Sequence, residues 1–308
     1  MLEENTMDKT IFVLLDACQY EAASKYLGYL EHMIDYNKGA KYKVLGELPS
    51  LSKPMYATLF TGLPVCKHGV TCNEVGGVLP YDSVFSLCRK AGGRTAAISY
   101  SWMSELYSRA PYVSDRDRVQ LDAEGSIQYG MYYWDDNYPD SHVFAEGECL
   151  RKTFDPDFML YHTMAVDEWG HMKGADSAEY ANAVAAVGHL IAARMPEWLE
   201  KGYQVVVTAD HGMNNLFYNN CSCTFLDHIR YKLMCIPNAT ANAYKNRAFF
   251  YFSGVTNQCC NFSLFISSKY FIFQFFYKFF NLHLFSPNYF YYFHSPVKTS
   301  VAGPVIKT

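Results

Sequence analysis

The sequence predicts an α/β fold, a doubly wound and mostly parallel sheet, on three observations. Short continuous apolar runs recur at Thr10–Leu15 (TIFVLL), 158–162 (FMLYH) and Gln204–Thr208 (QVVVT). Runs of that length without polar alternation suit strands buried on both faces of a parallel sheet. Segments with apolar residues at helical spacing lie between them, and this alternation is the pattern of a doubly wound sheet. Each run also ends at or near an aspartate: Asp16, Asp167 and Asp210. Those positions are the carboxyl ends of the strands, where such sheets bind ligands.

The remaining elements follow in order. Residues 20–36 read as a helix, with apolar positions at Ala23, Tyr26, Leu27, Leu30 and Met33. A second strand falls at 42–45, a helix starts at 52–60, and Val84–Lys90 forms another helix ahead of Gly92-Gly93. TAAIS at 95–99 is the third strand. Residues 101–150 are rich in Tyr, Asp and Ser with weak periodicity, and read as a small insertion or cap. The run at 158–162 is the fourth strand, 177–199 is the clearest helix, and Gln204–Thr208 is the fifth strand.

Composition divides the chain. Its 308 residues suffice for one large α/β domain, and the formal charge of −4 is too mild to suggest a nucleic-acid surface. Residues 1–216 carry 29 of the 30 acidic side chains, whereas 217–308 carry one acid, eight bases and 16 of the 22 phenylalanines. We therefore expect a catalytic domain over 1–216 and an anomalous aromatic-rich tail over 217–308. The tail segment FIFQFFYKFFNLHLFSPNYFYYFH (271–294) has neither strand nor helix period. Gln274, Lys278, Asn281, His283 and Pro287 interrupt the apolar stretch of about 20 residues that a membrane span needs. Its Phe, Tyr, Asn, Lys and Ile bias is that of translated AT-rich noncoding sequence; a genuine aromatic-rich domain is the alternative. The ten cysteines have irregular spacing and the opening MLEENTMDK is polar and acidic, so the expectation is a cytoplasmic protein with reduced thiols.

Four places carry residues suited to chemistry. Asp16 ends the first strand, as a metal ligand or a helix N-cap. Ser52, in LPSLSKPMYATLFTG, opens a helix, as a plain N-cap or as a nucleophile facing an anion at the helix N-terminus. Asp167 and His171 are four residues apart in VDEWGH, a spacing that can aim carboxylate and imidazole at one metal or arise by chance. Asp210-His211-Gly212 places two ligands side by side with a glycine relieving backbone crowding, a compact metal-binding turn. The alternative is an Asp cap beside a surface His. Trp102, Tyr107, Tyr112 and Tyr129 could stack on a nucleobase, but packing is the plainer reading. His68 is expected to support the turn after the nucleophile helix, and His189 to be structural.

Taken together and in this order, VLLDA (13–17), SKPMYATLFTGLPVCKHGVTCN (52–73), VDEWGH (166–171) and VVVTADHGM (205–213) resemble the alkaline phosphatase superfamily. Within it the resemblance is to the nucleotide pyrophosphatase/phosphodiesterase branch, over roughly residues 10–215. In that family a Thr or Ser stands nine residues before the Thr-Gly of a T-G-x-x-P-x-x-H-G segment. Here that residue is Ser52, counted from Thr61-Gly62, with Pro64 one residue early. The resemblance implies two divalent metals. One is held by Asp16, Ser52, Asp210 and His211, the other by Asp167, His171 and a third histidine. It further implies that Asn73 donates to a phosphoryl oxygen. The mixed carboxylate and imidazole ligands fit zinc best, with manganese or iron as alternatives.

The function so implied is hydrolysis of a phosphoric ester, preferably a nucleotide phosphodiester or pyrophosphate bond, through a covalent Ser52 intermediate between two metals. The partner is then a small-molecule phosphoester. A phosphomonoesterase or phosphonate hydrolase is the nearest enzymatic alternative, and a non-catalytic relic of the family is the alternative from another class. Two departures bear on this. No His-Gly turn follows Asp210-His211, which leaves His228, His283 and His294 as the downstream candidates for the third histidine. Tyr56 stands where a sulfatase of the C/S-x-P-x-R type places Arg, which sets that activity aside. Sequencing transcripts across codons 210–225 tests the tail: an interrupted frame is expected, and an uninterrupted expressed one overturns the noncoding origin.

Overall fold

The computed structural model describes residues 9–213, together with the backbone of Asn261–Ile266 and Tyr291–Tyr292. The chain opens with β1 (Thr10–Leu15), α1 (Tyr20–Tyr26), α2 (Gly28–Asp35) and β2 (Ala40–Leu45). It continues through α3 (Ser52–Thr61), α4 (Val65–His68), α5 (Val84–Lys90), β3 (Thr95–Tyr100) and α6 (Trp102–Tyr107). Then come α7 (Ser114–Asp117), β4 (Val119–Gln120), β5 (Tyr129–Tyr133), α8 (Asp140–Phe154) and β6 (Phe158–Thr163). The last are α9 (Ala165–Lys173), α10 (Ala178–Ala192), α11 (Met195–Glu200), β7 (Gln204–Thr208), β8 (Asn261–Ile266) and β9 (Tyr291–Tyr292).

These strands form one sheet in the order β2-β8-β7-β1-β6-β3-β5-β4, with β9 against β8. The inner pairs β7–β1, β1–β6, β6–β3 and β3–β5 are parallel. The pairs β2–β8, β7–β8 and β4–β5 are antiparallel. The predicted doubly wound, mostly parallel sheet is therefore the fold. Side-chain alternation along β1 divides the core. Ile11, Val13 and Leu15 face the helices α1, α2, α8, α10 and α11, while Phe12 and Leu14 face α3, α5 and α6. Neighbouring strands follow the same rule: Met159 and Tyr161 join the first layer and Leu160 the second.

Three expectations need correction. The helix expected over 20–36 is two helices, broken at buried Leu27. A Cβ on Gly188 of α10 would stand 3.0 Å from Leu27 Cδ2, so the break seats Leu27 against a helix that comes close there. The helix expected over 177–199 is likewise two, with Ser177 capping α10 through the Tyr180 N–H and α11 restarting beside Pro196. Residues 101–150 are not a cap apart from the sheet. Their β5 pairs with β3 and their α8 packs across β3 and β6. The strand escaped notice because YGMYY has no apolar run; its half-polar tyrosines nonetheless bury Tyr132 and Tyr133.

α8 also brings a carboxylate into the core. Gly147 lies against the Tyr161 ring, where a Cβ would collide, and this lets the helix sit close to β6. Glu148 then accepts from Tyr161 Oη (2.7 Å), Trp198 Nε1 (2.7 Å) and Arg151 Nη2 (2.7 Å). Burial pushes the Glu148 carboxyl up, but the hydrogen bonds from Arg151, Trp198 and Tyr161 outweigh it and hold the group at about 2 against an ordinary 4.5. A depressed carboxyl contributes stability above its unfolded pKa and loses it as pH falls through the folded one. Glu148→Gln should cost about 3 kcal/mol in urea unfolding at neutral pH. The gap from wild type should narrow as pH drops from 4.5 toward 2.

Candidate active site

The register of the sheet assembles the site. Leu15 of β1 pairs with Thr163 of β6, and Leu14 with Thr208 of β7. Three parallel strands thus end side by side, and the residues just beyond them emerge at one edge. Asp16 follows β1, Asp167 lies in α9 after β6, and Asp210-His211 follow β7. Asp16 and Asp210 are fully buried, and Asp167, His211 and Ser52 nearly so.

The helix-cap alternatives for Asp16 and Ser52 are not realised. Asp16 is no helix cap: α1 begins after Gln19, with no side-chain cap. Ser52 is the first residue of α3 and Leu51 occupies the cap position without a side-chain bond, so the Ser52 hydroxyl is not used as a cap. Ser52 Oγ instead lies 3.4 Å from Asp16 Oδ1 and 3.1 Å from His211 Nε2. Asp210 Oδ1 accepts from the backbone N–H of Ala17 (3.1 Å) and of His211 (2.9 Å). Its buried Oδ2 accepts no hydrogen bond.

His211 is turned inward. Its Nδ1 stands 3.0 Å from the Gly212 carbonyl, to which it can only donate. In the neutral ring this leaves the Nε2 lone pair facing Ser52 Oγ, Asp16 Oδ1 (3.5 Å) and Asp210 Oδ2 (3.3 Å). One ligand atom each from Asp16, Asp210 and His211 lies within 4.8 Å of the others. Two carboxylates and an imidazole nitrogen around an unpartnered buried oxygen are a donor set suited to a divalent cation. His171 Nε2 lies 3.3 Å from Asp167 Oδ1, as the spacing within α9 permits. The imidazole is largely exposed, and the nearby carboxylate raises its pKa.

The charges of these groups act on one another. Burial pushes Asp210 well above the usual carboxylate range, and the charges of Asp16 and Asp167 add to it. Burial and Asp16 likewise raise Asp167. Burial alone would depress His211, but Asp210, Asp16 and Asp167 overcome it and lift the imidazole to about 9. Asp16 goes the other way. Burial works against its ionisation, yet the His162 hydrogen bond and the His211 charge hold it below the ordinary value.

Two residues to which the sequence reading gives no contact with Asp16 complete its surroundings. The Tyr56 hydroxyl donates to Asp16 Oδ2, and His162 Nε2 lies 3.1 Å from the same oxygen. A helical signal existed for Tyr56, which is one turn beyond Ser52 and so on the same face of α3. His162 needed the strand register, which pairs it with Leu14.

Asn73 Oδ1 accepts from the Lys53 N–H (3.1 Å), so its amide NH2 is the end left to donate. His68 supports the turn as expected: its Nδ1 accepts from Val70 N (3.1 Å) and its Nε2 meets Thr58 Oγ1 (2.9 Å). The aromatic residues pack. Tyr107 donates to the Tyr56 carbonyl (2.9 Å), Tyr112 to the Tyr132 carbonyl (3.0 Å), and Tyr129 stacks on Phe154. Trp102 leans on Tyr56 and Tyr100. The candidates for the third histidine, His228, His283 and His294, lie outside the described residues.

The two metal-type motifs are also clasped to each other. Gly170, between Asp167 and His171, lies under the Met213 side chain, where a Cβ would collide. Gln19 Nε2 donates to the Met213 carbonyl. The loops after β1 and β7 and the helix after β6 therefore form one packed unit.

Residues 82–234 match the family model for type I phosphodiesterase / nucleotide pyrophosphatase. Among solved structures the chain is similar to phosphonoacetate hydrolase from Sinorhizobium meliloti 1021 in complex with phosphonoformate. The identity is 22%, over 67% of this chain and 56% of that one, with a TM-score of 0.50. It is also similar to murine ectonucleotide pyrophosphatase / phosphodiesterase 5, at 16% identity over 67% of this chain and 57% of that one, with a TM-score of 0.51. An inactive variant of the murine protein in complex with AMP gives 17% identity over the same shares, also at 0.51. The chain thus spans a little over half the length of these structures, and likeness at such identities speaks for the fold. No curated protein matches the chain. Residues 82–234 thus match the type I phosphodiesterase / nucleotide pyrophosphatase family, on a fold shared with these solved structures.

Proposed function

We propose that this chain hydrolyses phosphoric esters through Ser52, with nucleotide phosphodiester or pyrophosphate bonds preferred. The observation that carries the reading is the position of Ser52 Oγ, 3.1 Å from His211 Nε2 and 3.4 Å from Asp16 Oδ1, beside the unpartnered Oδ2 of Asp210. Asp16, Asp210, His211 and Ser52 would hold one divalent metal. Asp167 and His171 would hold a second, with a further ligand from outside the described residues. Zinc suits this donor set best. Such cations, when bound, lower the pKa of an attacking hydroxyl and neutralise charge on the phosphoryl group and leaving oxygen.

The protein's own residues supply the remainder. Ser52 Oγ gives up its proton to solvent water and attacks phosphorus in line. The bond from phosphorus to the leaving oxygen breaks, and the leaving group departs with that electron pair and takes a proton from water. The N-terminal turn of α3 faces the anionic group, and the free Asn73 amide donates to a phosphoryl oxygen. Water then attacks the phosphoserine ester and restores the hydroxyl. The similarity to a nucleotide phosphodiesterase with bound AMP supports a nucleotide substrate. Similarity to a phosphonate hydrolase keeps carbon–phosphorus substrates as the neighbouring choice.

A second reading is a non-catalytic relic, and it stands on the third histidine, for which no His-Gly turn follows Asp210-His211 in the sequence. Metal content separates the two, since a catalyst should hold close to two ions per chain and a relic one or none. Among the described residues no helix is long and apolar enough to cross a membrane. Among the described residues Cys18, Cys66, Cys72, Cys88 and Cys149 are free thiols.

Hydrolysis of an aryl phosphodiester and an aryl phosphomonoester with added zinc tests the proposal. Turnover should be faster on the diester and fall by at least about 10³-fold in Ser52→Ala. Undiminished turnover in that variant would remove Ser52 as nucleophile. A second outcome concerns the metal-free protein. A carboxyl whose folded pKa is raised costs stability as pH climbs above its unfolded value, so Asp210 burdens the chelated protein at neutral pH. Asp210→Asn should therefore raise the melting temperature in chelator, by about 2–4 °C per kcal/mol recovered, while weakening zinc binding. A lowered melting temperature would show that the buried charge is not the burden inferred here.

A further inference from the structure

Asp16 has two oxygens with different surroundings. Oδ1 faces Ser52 Oγ (3.4 Å) and His211 Nε2 (3.5 Å), inside the proposed metal cluster. Oδ2 faces away, toward the Tyr56 hydroxyl and His162 Nε2. Both side chains are fully buried, so neither can turn to water for a partner.

The protonation pattern around Oδ2 follows from a third contact. The backbone N–H of Tyr100 donates to His162 Nδ1 at 3.2 Å, which makes Nδ1 the acceptor nitrogen of the ring. The ring hydrogen is then on Nε2, aimed at Asp16 Oδ2 at 3.1 Å. His162 Nε2 and Tyr56 Oη stand 3.2 Å apart, and with Nε2 protonated the tyrosine cannot donate to it. The Tyr56 hydrogen goes to Oδ2 as well. The two rings meet edge to face, 4.9 Å between centroids at 75°, which fixes the angle at which the donors converge.

We propose that Tyr56 and His162 are positioning residues that occupy Asp16 Oδ2 with two hydrogen bonds and so present Oδ1 alone to the metal. The inference rests on the metal-dependent reading above and deepens it. It assigns the geometry of one ligand to residues that do not touch the metal themselves. Outer hydrogen bonds of this kind orient a ligand and set its affinity. The pair also links three parts of the site. Tyr56 rides one turn behind Ser52 on α3, His162 ends β6, and Asp16 ends the neighbouring β1. A shift of the nucleophile helix would carry the Tyr56 donor away from the carboxylate, so nucleophile and ligand are held in a single register.

The test is zinc affinity of the full chain, read by competition with a chromophoric chelator. The visible spectrum of the cobalt-substituted protein and the metal-free melting temperature are followed in parallel. Tyr56→Phe and His162→Phe should each bind zinc about 10- to 100-fold more weakly and alter the cobalt bands. His162→Gln, which can return a donor near the place of Nε2, should recover much of the affinity lost in His162→Phe. Tyr56→Phe and His162→Phe variants that bind zinc as tightly as wild type, with unchanged cobalt bands, would overturn the inference while leaving the metal site standing. Equal losses in all three variants that track lowered melting temperatures would assign the pair to packing and also overturn it. A wild-type chain that binds no zinc or cobalt would overturn this inference and the metal-dependent reading together.

Discussion

Three carboxylates buried at one edge of the sheet set the terms for everything around them. Asp16, Asp210 and Asp167 lie beyond β1, β7 and in the helix after β6, with little or no exposure. Like charges in a low-dielectric place are costly, and the protein answers each one differently. Asp16 stays ionised because Tyr56, His162 and His211 face it. Asp210 has backbone N–H donors on one oxygen only and is driven toward its protonated form. His211 takes up a proton that the three acids make favourable. This balance supports the cation proposed for the site, in whose absence the protonated His211 offsets only part of the negative charge.

The frame under those charges could be read from the residues to a considerable degree. Thr10–Leu15, Val84–Lys90 and Gln204–Thr208 are elements with the bounds the apolar runs suggest. The signals are local: for the two strands a β-rich run too short for a helix, then an aspartate, and for the helix the Gly92-Gly93 that follows it. The helix break at Leu27 leaves no mark because apolar spacing continues through it, whereas Pro196 marks the break ahead of Met195. What breaks the first is the close approach of α10 at Gly188, a tertiary contact without a mark in its own segment. β5 was missed for a related reason. Its tyrosines favour strands, but Gly130 interrupts them and the segment has no apolar run, so only pairing with β3 marks it as a strand.

At the site the division is similar. Asp16, Ser52, Asp210 and His211 were found through motifs, and the fold brings them within contact of one another. Asp167 and His171 were found through their spacing, and α9 places them together. Tyr56 and His162 carry no motif. One is an aromatic residue in an apolar helix, the other a histidine in an apolar strand, and each alone reads as core. Only the pairing of Leu14 with His162, and of one turn of α3 with the end of β1, makes them partners of a carboxylate.

The packing around the ligands shows why two short motifs far apart in sequence behave as one object. Gly170 would be an unfavourable residue for a helix on propensity alone. Its position under Met213 accounts for it, because a Cβ there would meet the Met213 side chain, which would have to shift. Gln19 closes the same loop from the β1 side through the Met213 carbonyl. Displacing α9 would therefore move the loop that carries Asp210, and displacing that loop would strain the turn after Asp16. The first ligand cluster is thus braced by the same contacts that align the second, and the cost of burying the acids is spread over a single rigid edge rather than met residue by residue.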